Sequence, residues 1–314
     1  MTMLNMEEIM KAIGGELISG APGSFSGVSI DSRTIAGGEL FFAIKGEALD
    51  GHRFIEKALL KGAGAVVETA PAALPGDRVI IRVKDTLRAL QDLAHFMRMR
   101  MDVPVAAITG SNGKTTTKEM TYAVLSRRFR TLKNEGNLNN HIGLPLSLMK
   151  LSPDDEAVVL EMGMNAAGEI RRLCEIAVPD CGVITNIGTA HIGRLGSREA
   201  VLNAKLEIIE GLGAAVVNAD DAYLMRGFGK IKNFKGRTIK FAIDNDAHVT
   251  AGNLRVTDKG SDFLLCIKDQ GCVSVSLAVH GRFNVYNALA AAAVSSWLGM
   301  KADEIKDGLE QYRG

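Results

Sequence analysis

The sequence predicts an α/β fold in which a parallel-sheet domain follows a smaller α/β domain. Three observations support this prediction. Short, continuous apolar segments alternate with helical patterns along most of the chain; glycine is abundant (34 residues) while aromatic residues make up only 5%; and a glycine-rich turn joins an apolar strand to a helix. Uninterrupted apolar strands separated by helices are typical of a parallel sheet that is covered on both faces.

Length and composition narrow the functional classes. With 314 residues the chain can form two domains with separate cores. The net charge of +1 gives no reason to expect a nucleic-acid partner. No apolar run approaches the roughly 20 residues of a membrane helix, and the first residues lack the order of a signal peptide. We therefore expect a cytoplasmic protein without a membrane partner. A monomeric state is a separate expectation.

The four cysteines show no Cys-x-x-Cys spacing. Metal or disulfide use is open, but free thiols in a reducing compartment are the favoured interpretation. The residues concerned are Cys174, Cys181, Cys266 and Cys272.

Residues 1–82 predict the smaller domain. Predicted helices and strands in it cover residues 6–13, 40–43, 54–61, 65–67 and 79–81. Pro71, Pro75 and Gly76 predict a loop before the last of these strands.

One strand end in this domain combines an acid, a hydroxyl and a guanidinium. Asp31, Ser32 and Arg33 could contact a ligand there. From the residues alone, a turn stabilised by the aspartate with a solvated arginine is the favoured alternative.

Residues 83–314 predict the parallel-sheet domain, with the boundary near Arg82. A helix over 85–101 leads into it. The later predicted strands are 103–109, 157–161, 182–185 and 214–218, and the predicted helices are 114–129, 168–177, 198–211, 284–297 and 302–311. Residues 250–277 contain short segments of alternating apolar and polar residues, separated by glycine turns. This pattern predicts an antiparallel extension of the sheet.

The glycine-rich turn between the predicted strand 103–109 and helix 114–129 predicts a nucleotide phosphate site. It is a shortened form of the usual phosphate loop, because Ile108 stands where the common pattern has its first glycine. Backbone N–H groups of such a turn and the helix N-terminus favour an anion. The residues expected to contact the nucleotide are Gly110, Ser111, Asn112, Gly113, Lys114, Thr115 and Thr116.

Polar residues stand at the ends of the other predicted strands, where ligands of parallel sheets bind. Glu161 ends an apolar strand and is expected to bind a metal ion, since a buried acid is otherwise costly. His191 follows another strand end. From the residues alone, a role as a metal ligand and a purely structural role are equally open. Lys205 lies on the helix 198–211 and, from the residues alone, is favoured as a solvated lysine.

Taken in order and spacing, these segments resemble the Mur ligases over essentially the whole chain. Within that family they resemble the branch that adds D-alanyl-D-alanine to UDP-N-acetylmuramoyl-tripeptide in peptidoglycan precursor synthesis. The segments that carry the resemblance are residues 109–116, 137–145, 161–170, 186–191, 196–208 and 281–291.

The resemblance implies roles that the residues alone do not settle. Lys114 and Thr115 would serve ATP and Mg²⁺, Glu161 and His191 would bind metal, and Lys205 would carry a CO₂-derived carbamate that also binds metal. Lys114, Lys205 and His191 would form the catalytic set.

Two further segments take their roles from the same resemblance. Asn284 and Asn287 would contact adenine, with Phe283 in place of the histidine usual in the family. Residues 31–34 and 46–52 would hold the UDP-sugar substrate.

The implied reaction is an ATP-dependent ligation through an acyl phosphate. The family has a third domain, which the resemblance does not find here, so we expect these residues to bind ligands without ligating them. Two alternatives stay open: another amide ligase of the same architecture, such as a MurE-like or folylpolyglutamate synthase-like enzyme, and a non-catalytic nucleotide-binding module.

Overall fold

The computed structural model describes residues 3–46, 49–70 and 78–314. The predicted loop at Pro71, Pro75 and Gly76 lies outside these residues. Contacts divide the chain into two compact units, Met1–Asp102 with His141–Pro153 and Val103–Asn140 with Asp154–Gly314. Within the described residues, no helix is long and apolar enough to cross a membrane.

Within the residues that the structure describes, the first part of the chain forms three α-helices and seven strands. They are β1 (Leu4–Asn5), α1 (Met6–Ile13), β2 (Glu16–Ser19), β3 (Ser24–Phe25), β4 (Gly27–Ser29), β5 (Glu39–Phe42), α2 (Ile55–Leu59), β6 (Gly64–Val67), β7 (Val79–Arg82) and α3 (Thr86–Met99). Strands β4 to β7 run parallel in the order β7-β6-β5-β4, and β2 pairs antiparallel with β7 at one edge.

The remaining chain forms the large sheet, its helices and α5. The elements are β8 (Val105–Thr109), α4 (Lys114–Leu125), β9 (Thr131–Lys133), α5 (Gly143–Leu148), β10 (Ala157–Glu161), α6 (Glu169–Ala177), β11 (Cys181–Ile184), α7 (Ile192–Leu195), α8 (Arg198–Leu206), β12 (Ala214–Asn218), α9 (Ala222–Phe228), β13 (Arg237–Ala242), β14 (Val249–Thr257), β15 (Gly260–Ile267), β16 (Gly271–Leu277), α10 (Arg282–Trp297) and α11 (Ala302–Gln311).

The first unit extends beyond the predicted boundary at Arg82. Helix α3 packs on α1 and on α5, and the Gln91 side chain donates a hydrogen bond to the backbone oxygen of His141 (3.0 Å). The apolar face of α3 is buried by these contacts, so the helix that leads toward the second unit is part of the first. Segment 141–153 joins it for the same reason.

The second unit contains a nine-stranded sheet in the order β16-β15-β14-β13-β12-β11-β8-β10-β9. The strands from β14 to β9 run parallel, and β15 and β16 add an antiparallel hairpin. The predicted α/β fold and its antiparallel extension are confirmed. Strands β9 and β10, which follow β8 in the chain, lie on one side of it in the sheet. Strands β11 and β12 lie on the other side, so the strand order reverses between β8 and β11. Ligands of such sheets bind outside the strand ends at this reversal.

Helix α10 covers one face of the large sheet. Its buried face consists mainly of small apolar residues from Val285 to Val294, and it packs on α4 and on strands β11 to β15. Alanine side chains allow the helix to approach the sheet and α4 closely. The core therefore fixes α4, the helix that begins at the glycine-rich turn.

Two predictions about local structure are wrong. Helix α8 ends at Leu206, and Glu207–Ile209 form a 3₁₀ turn. Here the Glu207 carboxylate accepts hydrogen bonds from the N–H groups of Gly168 and Arg171 at the start of α6. Cys266 and Cys272 form a disulfide rather than free thiols, because the register of β15 and β16 places them directly opposite each other.

Candidate functional site

The turn after β8 depends on two glycines. Gly110 has φ +155°, and a Cβ atom there would lie 1.8 Å from the hydroxyl oxygen of Thr185. Gly113 has φ +79°, and its Cβ would lie 2.3 Å from the side-chain oxygen of Asn287. Any larger residue would push the turn away from its neighbours. The sequence places glycine where the backbone must approach β11 and α10 closely.

Hydrogen bonds tie this turn to the chain that follows β11. The Asn112 N–H donates to the Asn186 side-chain oxygen (3.0 Å), and the Asn186 amide donates back to the Asn112 oxygen (3.1 Å). Thr185 donates its hydroxyl to the same oxygen (2.6 Å), and the Gly188 N–H donates to the Ser111 hydroxyl (2.8 Å). The turn is thereby held open at the reversal of strand order.

Two lysine ammonium groups meet at one backbone oxygen of the turn. Lys114 Nζ donates to the Gly110 oxygen at 3.0 Å, and Lys205 Nζ donates to the same oxygen at 2.9 Å. Burial and the charge of Lys114 lower the pKa of Lys205 to about 7, and burial lowers the pKa of Lys114 against the opposing effect of Glu161. Two cations around one carbonyl favour an anion.

The Glu161 carboxylate lies at the end of β10 and is only 2% exposed. One oxygen accepts a hydrogen bond from the Thr115 hydroxyl (2.8 Å), and the other accepts one from the Asn139 amide (2.7 Å). A carboxylate beside a hydroxyl is a donor set that suits Mg²⁺, so the residues present fit this ion. Burial raises the pKa of Tyr312, and Thr116, the next residue of α4, partly offsets this effect.

His191 precedes α7 and is half-buried, with φ +68°. Burial and the charges of Lys205 and Lys114 lower its pKa, so the neutral imidazole is favoured. Across the described residues, no three or more His, Cys, Asp or Glu side chains are arranged to hold a metal ion. The structure brings Lys114, Thr115, Glu161 and Lys205 together, and it does not join His191 to them as a metal cluster.

A cavity of about 520 Å³ lies next to the turn, lined among others by Asn112, Gly113, Phe241, Phe283, Tyr286 and Asn287. The Asn287 side-chain oxygen accepts a hydrogen bond from Thr117 (3.2 Å), and its amide donates to Asn284 (3.2 Å). Phe283 is 65% exposed. The cavity therefore offers oriented amide groups and aromatic rings beside the glycine-rich turn.

Asp31, Ser32 and Arg33 belong to the first unit. The Arg33 guanidinium donates to both carboxylate oxygens of Asp31, and the Arg33 N–H donates to one of them (2.9 Å). These bonds lower the pKa of Asp31 to about 2. Ser32 is buried. This is the aspartate turn that the residues alone favoured, and the substrate role stays a prediction.

Sequence reasoning did not single out Lys118 or assign a role to Asp220. The Asp220 carboxylate accepts hydrogen bonds from the Tyr286 hydroxyl (2.8 Å), from the N–H groups of residues 243–245 and from the Asn245 amide. It thereby fixes a wall of the cavity. The signal available was only its position after a strand end.

The comparison with protein families identifies both units. A model described as the Mur ligase middle domain matches residues 108–295, and one described as the catalytic domain of the Mur ligase family matches residues 24–98. The chain belongs to the Mur ligase family. The resemblance inferred from the motifs is confirmed.

Individual Mur ligases match most of the chain. The UDP-N-acetylmuramoyl-tripeptide–D-alanyl-D-alanine ligase of Escherichia coli is 39% identical over 100% of this chain. A crystal structure of MurF from Acinetobacter baumannii is 33% identical over the whole chain with a TM-score of 0.93. The MurF ligase from Thermotoga maritima, solved with ADP, is 30% identical over 91% of the chain with a TM-score of 0.80. This chain spans between 65 and 69% of their lengths.

Proposed function

We propose that this Mur ligase acts in the ATP-dependent addition of D-alanyl-D-alanine to UDP-N-acetylmuramoyl-tripeptide. The observation that carries the proposal is the position of the Lys114 ammonium at the Gly110 oxygen, beside the paired Thr115 and Glu161. This is a site for a polyphosphate with its cation. The names of the matched relatives supply the substrates.

In the proposed reaction, a carboxylate oxygen of the muramoyl tripeptide attacks the γ-phosphorus of ATP. The bond from that phosphorus to the β–γ bridging oxygen breaks, which gives an acyl phosphate and ADP. The amine of D-alanyl-D-alanine then attacks the acyl carbon, loses a proton and displaces phosphate. Lys114 stabilises the charge on the transferred phosphoryl group, and the turn orients it. No side chain serves as a nucleophile.

Mg²⁺ is the metal that the proposal requires, and Thr115 and Glu161 are the residues that would hold it. The ion would offset phosphate charge. We propose His191 and Lys205 for a second ion. An ammonium has no lone pair for a metal, but with a pKa of about 7 a large share of Lys205 is neutral at physiological pH. The neutral amine can add CO₂ and release a proton, and the resulting carbamate provides oxygen donors.

Asn284 and Asn287 would contact adenine in the cavity beside the turn. We add that Phe283, which stands where the family usually has histidine and lines this cavity, would lie against the base. The first unit would hold the UDP-sugar through Asp31, Ser32 and Arg33. A cytoplasmic location and a monomeric state also stay predictions.

A thermal-shift experiment tests the substrate class. We expect UDP-N-acetylmuramoyl-tripeptide to raise the melting temperature, and we expect the corresponding dipeptide and a folate substrate to raise it less. A larger shift with the dipeptide would favour a MurE-like enzyme, and one with the folate would favour a folylpolyglutamate synthase-like enzyme.

Glu161→Gln tests the metal role. The amide keeps the size of the side chain but removes the charge that a hard cation prefers. We expect ADP binding in this variant to need more Mg²⁺ than in the wild type, as measured by calorimetry. An unchanged Mg²⁺ requirement would make Glu161 a structural acid.

A further inference from the structure

Lys118 has no exposed surface although its charge favours water. Its ammonium donates to the backbone oxygens of Asn134 (2.8 Å) and Gly136 (3.4 Å) and lies 3.1 Å from a carboxylate oxygen of Glu119. Three N–H donors thus have three oxygen partners. The buried charge is stabilised in large part by the turn that the chain makes at residues 134–136.

Asn134 transmits this restraint to the end of β10. Its side-chain oxygen accepts a hydrogen bond from the Glu161 N–H (2.9 Å), and its amide donates to the Glu161 oxygen (3.0 Å) and to the Leu138 oxygen (2.9 Å). Asn134 is fully buried. Because one amide pairs with both backbone groups of Glu161, it fixes the backbone there as a neighbouring strand would.

Asn139 completes the connection at the carboxylate. Its amide donates to one oxygen of Glu161, and its backbone oxygen accepts a hydrogen bond from the Gly163 N–H (2.8 Å). Helix α4 therefore reaches Glu161 by two routes. One is the direct bond from Thr115, and the other runs from Lys118 through residues 134–139.

We propose that Lys118 is a positioning residue, which holds residues 134–139 so that the Glu161 carboxylate faces the cation of the bound nucleotide. The proposal rests on the proposed function, since it takes Glu161 as a Mg²⁺ ligand. Outer partners of metal ligands fix the orientation of those ligands. Lys118 acts from behind the loop and touches neither nucleotide nor cation.

Lys133 provides a matched control. It also pairs with Glu119, but it is half-buried and its ammonium lies 4.4 Å from the centre of the Tyr122 ring. Burial alone would raise the pKa of Glu119, and the bonds from Lys133 and Lys118 lower it below its usual value. Both lysines stabilise this carboxylate, whereas Lys118 in addition binds the backbone of the 134–136 turn.

The experiment compares Lys118→Met with Lys133→Met. Calorimetry measures ADP binding over a series of Mg²⁺ concentrations and in EDTA. For Lys118→Met we expect the Mg²⁺ concentration at half-maximal effect to rise about 10–100-fold, with ADP affinity in EDTA unchanged. Lys133→Met is expected to match the wild type in both.

Glu161→Gln in the same series separates two failures. If it leaves the Mg²⁺ requirement unchanged, the proposed metal role is wrong. If it raises the requirement and Lys118→Met does not, the positioning role is wrong. An equal loss of ADP affinity with and without Mg²⁺ in Lys118→Met would also overturn the inference, because a general structural defect weakens both.

Lys118→Met leaves the backbone oxygens of Asn134 and Gly136 without their donor, which could prevent folding. A second variant covers that case. Lys118→Gln keeps an N–H donor. We expect faster hydrogen exchange at residues 134–140 and 161–163 in this variant, with β11 and β12 unchanged. Uniform acceleration across all these segments would contradict a positioning role.

Discussion

Lys205→Met is expected to stabilise the fold at neutral pH. The wild-type ammonium is 1% exposed and lies beside Lys114. The fall of its pKa from 10.5 to about 7 corresponds to about 5 kcal/mol of unfavourable free energy in the folded state. Methionine has a similar length and no charge, but it loses the hydrogen bond to Gly110, worth about 1 kcal/mol. The net gain expected is on the order of 2–4 kcal/mol at pH 7.

The pH dependence gives the sharper measurement. The unfolded chain keeps this proton up to about pH 10.5, while the folded protein releases it near pH 7. Between these values the unfolded state binds more protons, so wild-type stability rises with pH relative to the variant. Urea unfolding in CO₂-free buffer should give the largest difference at pH 7 and below, and almost none near pH 10.

Two results would refute this reasoning. One is a variant less stable than the wild type at pH 7, and the other is a difference that does not change with pH. Bicarbonate supplies a control, because carbamate formation should raise the stability of the wild type and leave Lys205→Met unchanged. An equal response of both proteins would argue against a carbamate at this lysine.

Three other substitutions are expected to act locally. Lys114→Ala should weaken ADP binding by calorimetry at least tenfold (about 1.4 kcal/mol) with an unchanged circular dichroism spectrum; normal affinity would refute the phosphate assignment. Phe283→Ala should weaken the binding of ADP but not the binding of inorganic pyrophosphate. If the binding of both ligands weakened equally, the ring would not contact the base. Asp85→Ala removes the bond to the Arg88 N–H that caps α3, so urea unfolding should show a loss of about 1 kcal/mol; no loss would mean that water replaces the cap.

The conformation of the glycine-rich turn could be predicted because its signal is local. An apolar strand, two glycines and a helix start lie within about a dozen residues, and each restricts the backbone by itself. Glu161 could be predicted for a similar reason, since an acid at the end of an apolar strand needs a partner. The expected partner was a metal ion, and the structure shows the carboxylate paired with Thr115 and Asn139.

The contacts that sequence reasoning missed join distant segments. Lys205 is hydrogen-bonded to the Gly110 oxygen, which lies 95 positions away in the chain. The sequence around Lys118 does not distinguish it from an exposed helix lysine, and its role depends on the contact between α4 and the turn at residues 134–136. Such contacts follow from tertiary packing and leave no local pattern. The disulfide is a local exception, since Cys266 and Cys272 are six positions apart; it was missed because the lack of a Cys-x-x-Cys spacing favoured free thiols.

The contribution of residues 141–153 to the first unit affects how the chain can fold during synthesis. The apolar face of α3 is completed only by α5, which the ribosome produces after β8, α4 and β9 of the other unit. The first unit therefore cannot finish folding before part of the second has emerged. The native contacts between α3 and α5 can form only after α5 has been made, and a fragment ending at Asp102 would expose the surface that α5 covers.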